Sequence, residues 1–565
     1  MVHTLTPRAR RAALSRRTLL RATGAGVVAV TGGGLLAACS EEAGSEGAAT
    51  EIDKIAGVLP TYQELTLDLP APDVPGTPPM VPNGYTSYPS RLVDAITDTP
   101  GSSGQTIKAM TPFWGPPPPG LGDNSYLAAV NEQLGVDVDF SIQDGNSYAD
   151  KLNAILGARD VPDVLCIPSW EVDKISRFSD AVEALFEDLT GYLAGDAAAT
   201  NYPMLAAFPP GAWKHCVWAN RLAAIPNPTD GPFSWVLFHR RDLFEEAGLT
   251  MPASIDELRQ IAEEVTDPDA SVWAFNDIFP MVQMFYKAPG SITGWRLAAD
   301  GTPEHKYETE EYRAAVETMA SYYEAGLIHP DLVASAGGDA KQLFRSGNIM
   351  FLMDGMGAWG GMQGEEQQVN PDFNMQPIPL FSATGGDPLA WGDDAPVNYV
   401  FIKKGLGKER VEEILRVINW CSAPFGTEEF QLRDLGVAEE HHTVADGYPT
   451  KTDLGYEEIG DQYFFISGRA PVVGPSPEVP TYVPDLLNYS NAMVQYLEEN
   501  PWAGIKVEFP AQYSAQLVPI EDQVTDILRG RRPLTDLDRV VQEWRNSGGD
   551  QAREVLGQAL DAAGR

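Results

Sequence analysis

The sequence predicts an α/β fold of two lobes, and two observations carry the prediction. From Gln105 onward, strand-like runs alternate with amphipathic helical runs, the grammar of mainly parallel sheets flanked by helices. Apolar residues make up 43% of the chain and aromatic residues 9%, the composition of well-packed cores rather than of a disordered acidic tail. The length beyond the N-terminal region calls for two or three compact units.

QTIKAMTPFW (105–114) is a β-run that ends at prolines, and NSYLAAVNEQLG (124–135) is an amphipathic helix stopped by glycine. VDVDFSIQ (136–143) alternates with period two, SYADKLNAILGARD (147–160) is helical, and VPDVLCIP (161–168) is a short apolar strand. Next come RLAAIP (221–226) and FSWVLFHR (233–240) as strands, then ASIDELRQIAEEV (253–265) as a helix that Ser254 and Glu257 open as a capping box. TEEYRAAVETMASYYEAG (309–326) is a long helix, NIMFLMD (348–354) and NYVFIKK (398–404) are strands, and KERVEEILRVINWCS (408–422) is a helix. The C-terminal stretch PLTDLDRVVQEWRNSGG and AREVLGQALDAA is wholly helical, with Trp544, like Trp420 before it, on an apolar helix face.

The first 38 residues hold six arginines and no acid, followed by a short, glycine-rich apolar run that ends in LLAAC at Cys39. A basic start, an apolar run too short to span a bilayer and a small-residue cleavage site make residues 1–38 a signal peptide. Arg16 and Arg17 in SRRTLLR read as a twin-arginine export signal. LLAAC resembles the bacterial lipobox, which makes Cys39 the lipidated N-terminus and places the protein on the outer face of the cytoplasmic membrane. Residues 39–104, acidic and then proline-rich, read as a tether without a core of its own.

The net charge is −39. An acidic surface repels phosphate backbones and anionic lipid, so nucleic acid is excluded as a partner, and lipidated Cys39 is the expected membrane contact. Cys166, Cys216 and Cys421 sit in apolar contexts and read as buried free thiols, or as one bridge and a leftover. No CxxC pattern suggests zinc. HExxH, GxSxG and Walker A patterns do not occur. His441 and His442 are adjacent and diverge on either regular structure, so they read as solvated surface rather than a metal pair. Gly355, Gly357 and Gly360 in GMGAWG match GxGxxG, but the following helix is short and NPDFNMQPIP breaks the βαβ unit a dinucleotide needs.

Several stretches together resemble the extracellular solute-binding proteins of family 1: PDVLCIP after two βα units, RLAAIP followed by FSWVLFHRRDLFEEAGLTMPASIDEL, YYEAGLIHPDL with AKQLFRSGNIMFLMDGMGAWGG, and ILRGRRPLTDLDRVVQEWRNSGGD. The resemblance runs in order from Gln105 to the C-terminus, and the long N-terminal region is similar to the larger subgroup that includes alginate-oligosaccharide binders. It implies a periplasmic-binding-protein-like fold of type II, with hinge strands between lobe I (105–234 and 382–437) and lobe II (235–381 and 438–565). It also implies a monomer that closes on a carbohydrate and hands it to the permease subunits of an ABC importer, with no cofactor. That subgroup can hold calcium in an EF-hand-like loop. DVDFSIQDG lacks oxygen ligands at alternate positions and the distal Glu, so no metal is expected here. A secreted carbohydrate-active enzyme and a peptide-sensing lipoprotein of the same fold are the rival readings.

Sugars present flat apolar faces rimmed by hydroxyls, so tryptophans with polar neighbours at strand ends are the candidates. Trp114 follows the first strand, and Ser169 and Trp170, with Glu171, follow the third. Trp235 lies near the first lobe crossing. Asn276 and Asp277 in AFNDIFP, Asp354 and Trp359 in FLMDGMGAWGG, and Trp391 and Asp394 in LAWGDDAPVNY, with Asp393 and Asn398, complete the set. Polyanionic sugars would need a local Arg/Lys cluster. Arg240 and Arg241 begin a helix near the crossing, where Arg240 reads as a structural cap.

Overall fold

A computed structural model describes residues 57–562 except 176, 230, 234, 291–293, 335–338, 393–394, 446, 499, 508 and 510. Arg16, Arg17, Cys39 and the first part of the expected tether lie outside the described residues, as does Asp394.

The first sheet takes strands β1 (Ile107–Phe113), β2 (Val138–Asp144), β3 (Val164–Pro168) and β4 (Ile225–Asn227). The second takes β5 (Val236–Arg240), β6 (Trp273–Phe275), β7 (Ile349–Asp354) and β8 (Met375–Pro377), after which β9 (Asn398–Ile402) returns to the first. The orders are β2-β1-β3-β9-β4 and β8-β5-β7-β6. Local sequence explains the βα units. Asn124 accepts from the Leu127 N–H at 2.8 Å to start helix Ser125–Leu134, and Gly135 at φ 67° ends it in a left-handed turn that glycine adopts without a Cβ clash. Pro112 lies past Ala109 and Met110, where β1 pairs with β3, so its missing N–H leaves that ladder intact.

One strand in each sheet runs against the rest. β9 is antiparallel to β3 and β4, and β5 is antiparallel to β7 and β8. These two strands have just arrived from the other sheet. A chain that leaves one sheet at its carboxyl edge and enters the next antiparallel must enter at that sheet's carboxyl edge. The carboxyl edges of both sheets are therefore joined by the segments 228–235 and 378–397. A bridge between Phe233 and Gly392 runs these two connections side by side.

Each sheet has its own core. Ile107, Leu165, Val400, Ile414 and Trp420 belong to one, and Leu237, Phe275, Phe351, Met319 and Trp544 to another, with Phe238, Leu352 and Phe373 in a third cluster on the second sheet's opposite face. Ile459, Tyr463 and Ile466 pack in the first core, and Val473 and Val483 on the second sheet. Between Ile466 and Val473 the chain thus passes from the first core to the second sheet, which makes 467–472 a third connection. Periodicity marks helices but does not say which core a short helix joins. Cys166, Cys216 and Cys421 are free and buried, and burial pushes the Cys421 thiol up to about 12. Among the described residues no helix is long and apolar enough to cross a membrane.

The proline-rich segment is not a free tether from residue 57 on. The Thr61 and Gln63 N–H groups donate to Gly195 and Ala206 on the first core at 2.9 and 3.0 Å. Val81 is fully buried on the second sheet, Asn83–Gly84 pairs with Val472–Val473, and Tyr85 packs on Phe425 at 4.8 Å. The chain then returns to the first core, where Glu429 accepts from Ala95 and Ile96, and Glu413 from Ser102 and Ser103. An extended proline-rich chain builds no core alone, but it has few N–H groups to satisfy and fits grooves that other elements build.

Candidate functional site

Of the chain's twelve tryptophans, only Trp114, Trp170 and Trp235 are more than a third exposed, at 47%, 47% and 43%. All three stand at the joined carboxyl edges. Trp114 follows β1, and its indole lies on Gly145 so closely that a Cβ there would come within 2.3 Å of the ring. Trp170 sits on the 3-10 turn Ser169–Lys174 after β3. The two ring centroids are 5.9 Å apart, and Phe465 joins Trp114 at 6.2 Å. The turn is held by the Ser169 N–H, which donates to Val397 O at 2.9 Å, and by the Glu171–Lys174 ion pair at 3.1 Å. A large aromatic left half in water forfeits burial energy, so three of them at one edge mark a surface that something else covers.

Across the joint, Trp235 immediately precedes β5, where Val236 faces Asp354. The Asp354 carboxylate accepts from the Gly355 N–H and pairs with Lys341 at 3.1 Å, leaving it partly exposed. The Trp391 indole N–H donates to Ala288 O at 3.0 Å, and its ring is pressed against Gly290 on the second half. A cavity of about 510 Å³ opens beside the connections, lined by Thr229, Phe233, Met356, Val397, Arg469 and Tyr482 among others. Aromatic walls with a few polar groups, between two bodies joined by short connections, are what a small-molecule clamp needs.

Residues 120–406, over half of the chain, match the family model of bacterial extracellular solute-binding proteins. The chain belongs to this family. It is 21% identical to lipoprotein LipO of Bacillus subtilis (strain 168) over 489 residues, 81% of this chain and 93% of that protein. Among solved structures it is similar to an HMO-binding, ABC-transporter-associated solute-binding protein from Bifidobacterium longum infantis (15% identity, TM-score 0.61, 82% of this chain and 99% of that one). It is also similar to the alginate-binding protein AlgQ2 (16%, 0.57, 83% and 100%). A third is FusA of S. pneumoniae, solved with kestose (14%, 0.57, 81% and 99%). These likenesses establish the α/β fold. The family's members bind their solutes without chemistry.

In this solute-binding protein several expected site residues serve the scaffold. Trp359 is 1% exposed, donates to Gln363 Oε1 at 3.2 Å and packs edge-on against Phe238 and Tyr482. Its glycine neighbours suggest a loop, but Gly360 lets the Tyr482 ring approach to 2.9 Å of where a Cβ would stand. Trp359 is thus core and not a platform. Asn276 is 8% exposed and exchanges two bonds with the Met353 backbone, at 3.1 and 2.9 Å, which ties β6 to β7. Asp277 caps Phe279 N and accepts from the Tyr323 hydroxyl, both at 3.0 Å. Arg240 closes helix Ala340–Arg345 by donating to Phe344 O and Arg345 O, and pairs with Asp242.

His441 and His442 are buried, not solvated. The His442 ring meets Leu435 O at 3.0 Å, whereas His441 Nδ1 accepts from Val437 N at 3.1 Å. His441 Nε2 stands 3.1 Å from both Ser125 Oγ and Glu458 Oε2. A hydrolytic triad needs the carboxylate on one ring nitrogen and the hydroxyl on the other. Here both crowd one nitrogen, so the cluster caps helix Ser125–Leu134, with the Tyr126 N–H also donating to Glu458. Among the described residues no cluster of His, Cys, Asp or Glu is placed to hold a metal. Phe465 escaped sequence reasoning, since nothing in QYFFISG says that this stretch folds back onto the first core and brings the ring to Trp114.

Proposed function

We propose that this chain is the extracytoplasmic receptor of an ABC importer, capturing an oligosaccharide between its two lobes and delivering it unaltered to the permease. The observation that carries the reading is the group of exposed Trp114, Trp170 and Trp235 at the carboxyl edges, in a family of solute binders. Flat aromatic faces match the apolar faces of successive sugar rings, and Asp354 and Ser169 supply polar partners at the same edges. The names of similar structures point the same way: HMO binding, alginate binding and a kestose complex. Closure follows from the ligand's better contacts in the closed state.

The receptor is held to the outer face of the cytoplasmic membrane by lipid on Cys39 after twin-arginine export through Arg16 and Arg17, and acts as a monomer. The lipoprotein name of the Bacillus relative supports the anchor. Lobe I comprises 105–227 and 398 to about 466, and lobe II 236–391 and the chain from about 473 on, with Phe233, Ala390 and Trp391 packing on the second core. A thermal-shift screen of malto-, fructo-, chito- and alginate oligosaccharides tests the function, because a ligand at 100 times its Kd adds about 2.7 kcal/mol of stability. The expected result is a saturable shift with one neutral series and unaltered sugar by chromatography. Cleaved product, or no shift with any series, overturns the reading. Cys39→Ser should release the protein from membranes and Arg16→Lys with Arg17→Lys should block its export.

A further inference from the structure

Apart from the 57–104 strap, three connections between the sheets converge on one residue that no site reading includes. The first connection leaves from Asn227, the last residue of β4. The second ends at Asn398, directly opposite Asn227 across the β9–β4 pair, and the Val397 N–H donates to Asn227 O at 2.9 Å. The third passes over it at Gly468. There φ is +69°, and a Cβ would come within 2.8 Å of Asn227 Cα and 3.0 Å of its Oδ1. Asn227 Nδ2 in turn donates to Phe464 O at 3.2 Å, and Phe465, the next residue, carries the ring that meets Trp114.

Asn227 and Asn398 are 0% and 1% exposed, and the Oδ1 of each has no hydrogen-bond partner among the described residues. Directly opposed residues of an antiparallel pair project to the same face with Cβ atoms about 4.5–5.5 Å apart, so the two side chains are neighbours. A buried acceptor without a donor is costly, and native proteins keep one where function repays it. Any rotation of one lobe against the other turns all three connections about this point. We propose that the Asn227–Asn398 pair is the pivot of the clamp, and that its two unmatched oxygens bias the equilibrium between open and closed forms. On this account the pair tunes affinity without touching the solute, as a positioning pair. The proposal rests on the two-lobed clamp reading above.

The experiment compares wild type with Asn398→Leu, which replaces the amide by two methyl groups of the same branching but larger volume and so removes its acceptor and its donor, and Asn227→Leu, which also removes the bond to Phe464. Val400→Ala, on the same strand and face, serves as a packing control. Small-angle scattering of each ligand-free protein reads the lobe angle, and titration with the tightest neutral oligosaccharide of the screen reads Kd. Both Asn variants should shift the ligand-free radius of gyration and change Kd at least fivefold. Val400→Ala should lower Tm and leave scattering and Kd as in wild type. Scattering identical to wild type and Kd within twofold in the Asn variants would overturn the pivot. Should Asn227→Leu fail to fold, Asn398→Leu decides by the same two readouts. Wild type that binds no oligosaccharide sinks the proposed function instead, while the ligand-free scattering still decides the pivot.

Discussion

The indoles of Trp114 and Trp170 stand 5.9 Å apart, centroid to centroid, with planes inclined at 45°, and each is 47% exposed. Neither ring belongs to a core, so replacing it removes contact surface for a ligand and little packing. Trp114→Ala and Trp170→Ala should each weaken oligosaccharide binding about tenfold or more, about 1.4 kcal/mol. Calorimetric titration reads the loss, and Tm should stay within about 2 °C of wild type. Normal affinity in both variants would show that the ligand sits elsewhere.

Trp359 gives the opposite pattern. It is buried against Phe238 and Tyr482, so Trp359→Ala should cost about 3–5 kcal/mol through the cavity it leaves. Chemical denaturation should show the second sheet's transition moving to lower denaturant, with affinity retained wherever the protein is still folded.

Glu413 should make stability depend on acid pH. Burial acts to raise its pKa, but the Ser102 and Ser103 N–H groups, the Ser103 hydroxyl and Arg410 outweigh burial and bring it to about 2. A carboxyl depressed in the fold stabilises fully above its unfolded pKa, about 4.3, and loses that contribution as pH falls towards 2. Glu413→Gln should therefore lower Tm at pH 7, and the gap to wild type should close across that window. A gap that stays constant down to pH 2 would refute the assignment.

Glu429 has the reverse sign. Burial raises its pKa, against the lowering effect of backbone donors including Ala95 and Ile96, and Asp94 raises it further. Its ionised form costs stability once pH rises through that raised value. Glu429→Gln keeps an acceptor for Ile96 and sheds the charge, so Tm at pH 7 should be unchanged or higher, with the difference vanishing below about pH 4. A lower Tm at pH 7 would mean that the charge itself holds the strap.

The strap across both sheets should matter to stability despite its composition. Val81 is fully buried beside Asn83–Gly84, so Val81→Asp places a charge where nothing pairs with it, at several kcal/mol. Limited proteolysis should then cut within residues 57–104, where wild type resists. Equal resistance in the two proteins would show the segment to be dispensable.

Much of this was legible along the chain. The β1 and β7 runs, the capped helix after Ser254, and the tryptophans at strand ends follow from period, caps and prolines, which act over a few residues. Trp359 was misplaced because glycine neighbours are shared by loops and by close ring contacts. The histidines were misplaced because polarity by itself does not reveal a buried partner such as Glu458. Phe465 and Asn227 carried no local mark at all.

Sequence by itself determined the alternating α/β elements and the family, since local periodicity and short motifs need no contacts to be read. Tertiary structure alone decided that the proline-rich segment straps both sheets, that residues 459–466 join the first core, and that three connections meet at Asn227. Those outcomes depend on which distant surfaces offer a groove, a donor or an empty face, and no short stretch of chain encodes its distant partner.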